Sequence, residues 1–207
     1  MRRLLTIAVL ALLPIAAQAQ FNLGLRLGYA PAMGDVMKDT KMTDGVKSQI
    51  PIQLDAMYQL SPDLSVGAYL SYGFGQLASD ACFDGASCSA SDTRFSLQGL
   101  YSFNKDGTAF VPWLGAGFGY EWASYSVKGG GEELEFGFSG FEFLNLQAGA
   151  NYKVNEKLSF GPYAQFSVGQ YSSAEITIPG EGSFSGDIQE KGVHQWFGFG
   201  VRGSFDL

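Results

Sequence analysis

Side chains alternate between two chemical classes along nearly the whole chain beyond its first nineteen residues. From Phe21 to Ala30, Phe21, Leu23, Leu25, Leu27 and Tyr29 share one parity, while Asn22, Gly24, Arg26, Gly28 and Ala30 share the other. A β-strand turns successive side chains to opposite faces, so a sustained period of two predicts a strand with two unlike faces. Seven further runs repeat the pattern, at 50–59, 66–74, 94–103, 112–122, 144–154, 158–168 and 197–207. Short turns fall at Ser61–Asp63, Asn104–Gly107 and Asn155–Lys157, and long connections at 31–48, 76–92, 123–140 and 171–193. All carry the Gly, Pro, Asn, Asp or Ser that turns require. Strict alternation of short and long connections predicts an up-and-down meander of eight antiparallel strands whose two ends face different surroundings.

The composition of the two faces decides which one is inside. In a soluble sheet protein the apolar face packs inward and the other is covered by charged and polar residues. Here the second face is Gly, Ser, Gln and Asn with isolated charges, and the chain has 28 Gly with only 16% charged residues, against about 25% in an average soluble domain. Glycine-rich faces pack poorly as a water-facing surface but suit a crowded interior. The apolar face therefore points outward, into lipid. A sheet in lipid must close on itself, because each unpaired edge N–H or C=O costs several kcal/mol there. Strands of about ten residues, tilted by about 40°, span roughly 25 Å, the height of an outer-membrane apolar band. The expected fold is thus an all-β, eight-stranded antiparallel up-and-down transmembrane β-barrel over residues 20–207. Tyr29, Tyr72, Tyr120 and Trp122 fall toward the long-loop end, and Tyr58, Tyr101, Tyr152 and Phe205 toward the short-turn end, the two aromatic girdles of such a barrel. The formal charge of −7 and the lack of a basic cluster beyond the first residues argue against a nucleic-acid partner.

Residues 1–19 have the form of a secretory signal peptide: Arg2 and Arg3, an apolar run from Leu4 to Ile15, and a small-x-small site at Ala17-Gln18-Ala19. Export exposes Cys82 and Cys88 to an oxidising compartment, so a local disulfide between them is expected. Their C-x5-C spacing, with His194 as the single histidine, matches no zinc pattern. No metal or cofactor is expected.

An eight-stranded barrel has a lumen just wide enough for its own side chains. Charges in it need partners. Arg26 and Asp55 lie at similar heights on the first two strands, and Arg202 lies on the last, which closes against the first. An Arg26–Asp55–Arg202 cluster across the lower lumen is expected. Arg94 and Glu121 are expected to pair near the outer mouth, with Glu121 about four residues higher by turn register. His194 falls at the start of the last strand and is expected at the rim, with Ser172, Ser173 or Glu190 as its possible neighbours. No local motif supplies it with a catalytic partner, and no catalytic residue is assigned. The acidic residues of the long connections, among them Glu133, Glu135 and Glu190, are expected at a solvated surface.

The stretch Val111 to Tyr120 (VPWLGAGFGY) resembles the P-aromatic-x-G-A-G-x-G-Y strand of the small outer-membrane β-barrels of Gram-negative bacteria, the OmpA-type and OmpW-type barrels. The last strand, Phe197 to Leu207, is similar to the C-terminal assembly signal of that family, although it ends in Leu207 with Phe205 two positions earlier. The resemblance implies location in the outer membrane, insertion by the barrel-assembly machinery, contact with outer-membrane lipids and lipopolysaccharide, and a monomer. A structural or surface-interaction role is expected, with a narrow passive channel for small or hydrophobic solutes as the alternative. A lipid-modifying rim enzyme is the least favoured, because the lipid A deacylase barrels carry a Ser two residues after their His, and here that position is Trp196.

Overall fold

The computed structural model describes residues 21–83, 85–103, 108–129 and 132–207. The expected signal peptide and the Asn104–Gly107 turn lie outside the described residues. Eight long strands form a ring: β1 (Phe21–Met37), β3 (Val46–Gln59), β4 (Leu64–Leu77), β5 (Ser87–Ser102), β6 (Phe110–Gly129), β7 (Glu132–Lys153), β8 (Leu158–Ile178) and β10 (His194–Asp206). Each pairs antiparallel with its chain neighbour, and β10 pairs with both β8 and β1, which closes the barrel. Closure leaves none of these strands with an unpaired edge across the membrane.

The alternation read from the sequence is the alternation of burial. Leu25, Leu54 and Phe118 stand 54%, 57% and 59% exposed on the outside, whereas Arg26 and Asn145 are fully buried inside. Such an arrangement is stable only where the outer solvent is hydrocarbon. Tyr29, Tyr72 and Trp122 are exposed near one end of the outer face and Tyr101, Tyr152 and Phe205 near the other. The short turns use side-chain oxygens to stand in for strand bonds. Asn155 Oδ1 accepts from the N–H groups of Lys157 and Leu158 at 2.9 and 2.8 Å, and Ser61 Oγ accepts from Leu64 N–H at 3.1 Å.

The alternation of aromatics with Gly and Glu over 134–142 reads as a hairpin that extends the fifth and sixth strands, with a bulge near Phe141–Phe143, and the structure has that extension; the other long connections differ from expectation. Most of what reads as loop is strand: β6, β7 and β8 run 20, 22 and 21 residues, about twice what a bilayer needs. Backbone pairing continues from Gly119–Glu142 to Gly129–Glu132, because no change of solvent breaks a ladder that satisfies itself. Residues 31–48 hold the end of β1, a two-residue β2 (Thr40–Lys41) and a single helical turn α1 (Met42–Gly45). A short β9 (Gly182–Asp187) pairs with the outer end of β8. A disulfide joins Cys82 to Cys88 at the start of β5, with Cα atoms 5.8 Å apart.

One bulge matters for the lumen. The β7–β8 register slips between Glu142 and Leu144, so Phe143 and Leu144 both face outward while Glu142 and Asn145 are both buried inside. An extra residue on one strand reverses the parity beyond it. The slip lies at Phe143–Leu144, at the edge of the Phe141–Phe143 stretch where the sequence pattern breaks.

Candidate functional site

The lumen is filled by two layers of buried polar side chains. The layer nearer the short turns is built around Asp55. Its Oδ2 accepts from Arg26 Nε at 2.8 Å and Arg202 Nε at 3.3 Å. Its Oδ1 accepts from Gln53 Nε2 at 2.8 Å and Gln98 Nε2 at 3.2 Å. Strand pairing dictates this meeting. Arg26 faces Arg202 across β1–β10 and Gln53 across β1–β3, while Asp55 faces Gly24. Asp55 is therefore one diagonal step from Arg26, within reach of a long side chain. A Cβ on Gly24 would stand 2.7 Å from Asp55 Oδ2, so the glycine makes room for the carboxylate. The two guanidinium groups lie over the Trp113 ring at 5.4 and 5.2 Å. Gln147 ties the layer together, accepting from Arg26 Nη1 at 2.7 Å and donating to Gln98 at 2.9 Å.

The second layer surrounds Arg94. Its register partner on β6 is Glu121, directly across rather than four residues higher, because the β5–β6 ladder is set from Ser102–Trp113 and not from the register that a count centred on Asn104–Gly107 assigns. Their ion pair measures 3.5 Å. Arg94 also pairs with Asp92 at close range, lies 3.9 Å from Glu142, and donates to Ser167 at 3.2 Å. Glu142 accepts from Tyr69 at 2.7 Å, Ser96 at 2.5 Å and Asn145 at 2.9 Å.

His194 is not at an open rim. It is 1% exposed, stacked on Tyr171 with centroids 4.2 Å apart, and its Nε2 lies 3.0 Å from Glu121 Oε2. Tyr171 and Trp196 donate to the other oxygen of Glu121 at 2.7 and 3.3 Å. The neighbours expected from sequence are engaged elsewhere: Ser172 with Ser139 O, Ser173 with Gly186 O, and Glu190 with Lys38. The start of β10 points His194 inward because its parity matches that of Trp196 and Arg202, a signal already present in the sequence. Asp92 and Tyr171 belong to the same layer but lie in stretches read as loop, and Glu142 enters it only through the bulge.

Spaces lie along the axis among the described residues. A void of about 20 Å³ lies between the layers, touched by Gln53, Arg94, Tyr163 and Trp196. A polar recess of about 150 Å³ opens at the short-turn end beside Trp113 and Arg202. An apolar cavity of about 340 Å³ lies at the long-loop end, between α1 and the extended strands.

The sequence matches the family model described as the outer membrane protein beta-barrel domain, over residues 4–205. No curated protein matches the chain. Among solved structures, a major outer membrane protein from Thermus thermophilus is 14% identical with a TM-score of 0.61, over 91% of this chain and 99% of that one. Neisserial surface protein A is 16% identical with a TM-score of 0.53, over 89% and 97%. OprG from Pseudomonas aeruginosa is 14% identical with a TM-score of 0.51, over 90% and 95%. At these identities the likeness concerns the fold, which in each case is that of an outer-membrane barrel. With nearly its whole length matched by the family model, the chain belongs to the outer membrane β-barrel proteins.

Proposed function

We propose that this protein is a closed barrel that presents a rigid outer surface to partners outside the cell and does not conduct solutes. The observation that carries this reading is the filled lumen. Arg26, Asp55, Arg202 and Trp113 block one level and Arg94, Glu121, Glu142 and His194 block another, all of them at most 5% exposed. The space between is about 20 Å³, about the size of one water. The hydrogen bonds of Asp55, Glu121 and Glu142 hold these side chains in place, and opening either layer would strand charges in a dry interior. The strand extensions supply the surface. Ile176 and Phe184, paired across β8–β9, and Val193 are exposed at the long-loop end, and adjacent apolar groups on a stiff frame suit the apolar centre of a protein contact.

In this reading the apolar band contacts lipid and lipopolysaccharide, the barrel is a monomer, and β10 is the strand read by the assembly machinery. The test is planar-bilayer recording of the refolded chain. No steady single-channel current is expected. Discrete conductance steps would instead establish the alternative, a narrow passive channel.

A further inference from the structure

We infer that the apolar cavity at the long-loop end is a binding site for a compact amphiphile carrying a protonated amine. Its walls are Met42, Val46, Ala90, Ala123, Phe136 and Phe138, and Asp92 lines its inner end. Interiors of this kind are ordinarily packed shut. Here about 340 Å³ is left open, within the size range of small-molecule pockets and matched by a ligand of about ten non-hydrogen atoms.

The charge at the inner end specifies the head group. Asp92, Glu121 and Glu142 gather around one guanidinium, that of Arg94, and His194 is the one further basic group in the layer. The carboxylates outnumber the cations whether or not the imidazole is protonated. Glu121 and Glu142 each take three hydrogen bonds from neutral or imidazole donors. Asp92 differs. Its Oδ2 accepts from Gln49 and Arg94, while Oδ1 is buried with no hydrogen-bond partner. A buried carboxylate oxygen without a donor is costly, and because Asp92 lines the cavity, a rotation of its carboxyl group that presents Oδ1 to the cavity lets an ammonium there supply both the donor and the missing positive charge. Among the described residues no group of three His, Cys, Asp or Glu is arranged to hold a metal ion, and the apolar walls suit an organic body. Lys41 and Asp44 also line the cavity, but both are exposed and offset each other.

This site lies above the filled layers and requires no passage through them, so it stands or falls independently of the conductance result. The test is calorimetric titration of the refolded chain in lipid nanodiscs with 1-aminoadamantane, against 1-adamantanol, adamantane-1-carboxylate and empty nanodiscs. The amine is expected to bind saturably and at least tenfold more tightly than the alcohol, with the carboxylate weakest. Asp92→Asn is expected to abolish the preference for the amine. Ala123→Phe, which fills the cavity and leaves Asp92 intact, is expected to abolish binding of all three while heat-modifiable gel migration confirms a folded barrel. The inference is overturned if the amine binds no better than the alcohol, if neither variant changes its affinity, or if uptake does not exceed that of empty nanodiscs.

Discussion

Arg26 and Arg202 face each other across the β1–β10 seam, the pairing that closes the barrel, and both donate from Nε to the same oxygen of Asp55. Two like charges directly opposite on paired strands repel. The carboxylate reached from β3 turns that repulsion into a three-residue tie across the seam where the two ends of the chain meet. The closing seam thus depends on a residue from neither end of the chain.

Removing that carboxylate is the first prediction. Asp55→Ala leaves two buried guanidinium groups without an anion, and loss of one partner from a buried pair costs about 3–5 kcal/mol. Urea unfolding in lipid vesicles should show a loss of this size. Wild-type stability in the variant would mean that the layer is hydrated and energetically slack.

A second prediction concerns glycines that face the lumen. A Cβ on Gly149 would lie 2.5 Å from Trp113 Cζ2 and 2.7 Å from Pro162 O, whereas Gly186 has open space around it. Gly149→Val should destabilise the barrel by about 1–3 kcal/mol, the usual cost of overpacking, and lower its refolding yield. Gly186→Val should change neither, and equal behaviour of the two variants would argue that lumen space is not limiting.

The lipid-facing assignment predicts a depth dependence. Phe118→Arg places a charge on the outer face near the middle of the band and should cost about 2–4 kcal/mol. Phe184→Arg, equally exposed but on β9 at the long-loop end, should cost close to nothing. If both are neutral in lipid vesicles, the apolar outer face is not solvated by hydrocarbon.

Trp196 touches both the outer cavity and the void between the two layers. Trp196→Ala should join them yet leave the planar-bilayer current at the native level, as should Trp122→Ala on the outer face, because Arg26, Asp55, Arg202 and Trp113 still close the lower level. A raised leak current in Trp196→Ala would show that the Asp55 layer does not seal the lumen by itself.

Alternation by itself determined the strands, their order, the outward face and the inward position of Arg26, Asp55, Arg94, Glu121, Trp196 and Arg202, because the side-chain period of a strand is a local property of the backbone. Parity likewise aims His194 inward, but its burial against Tyr171 depends on how far β8 extends. That Asp55, Arg26 and Arg202 occupy compatible heights was also legible, since short turns leave little freedom of register. Three things were decided only by the tertiary structure. Outside the 134–142 hairpin, the strands extend well past the membrane because paired backbones remain satisfied in water as in lipid, so the aromatic girdles that mark the edges of the lipid do not mark the strand ends. A break of parity near Phe141–Phe143 is visible in the sequence, but only the structure places the bulge at Phe143–Leu144 and so turns Glu142 into the lumen. Asp92, Glu121, Glu142 and His194 surround a single arginine because β5, β6, β7 and β10 converge inside a closed cylinder, and convergence across a barrel is set by closure and register, neither of which is written in any one strand.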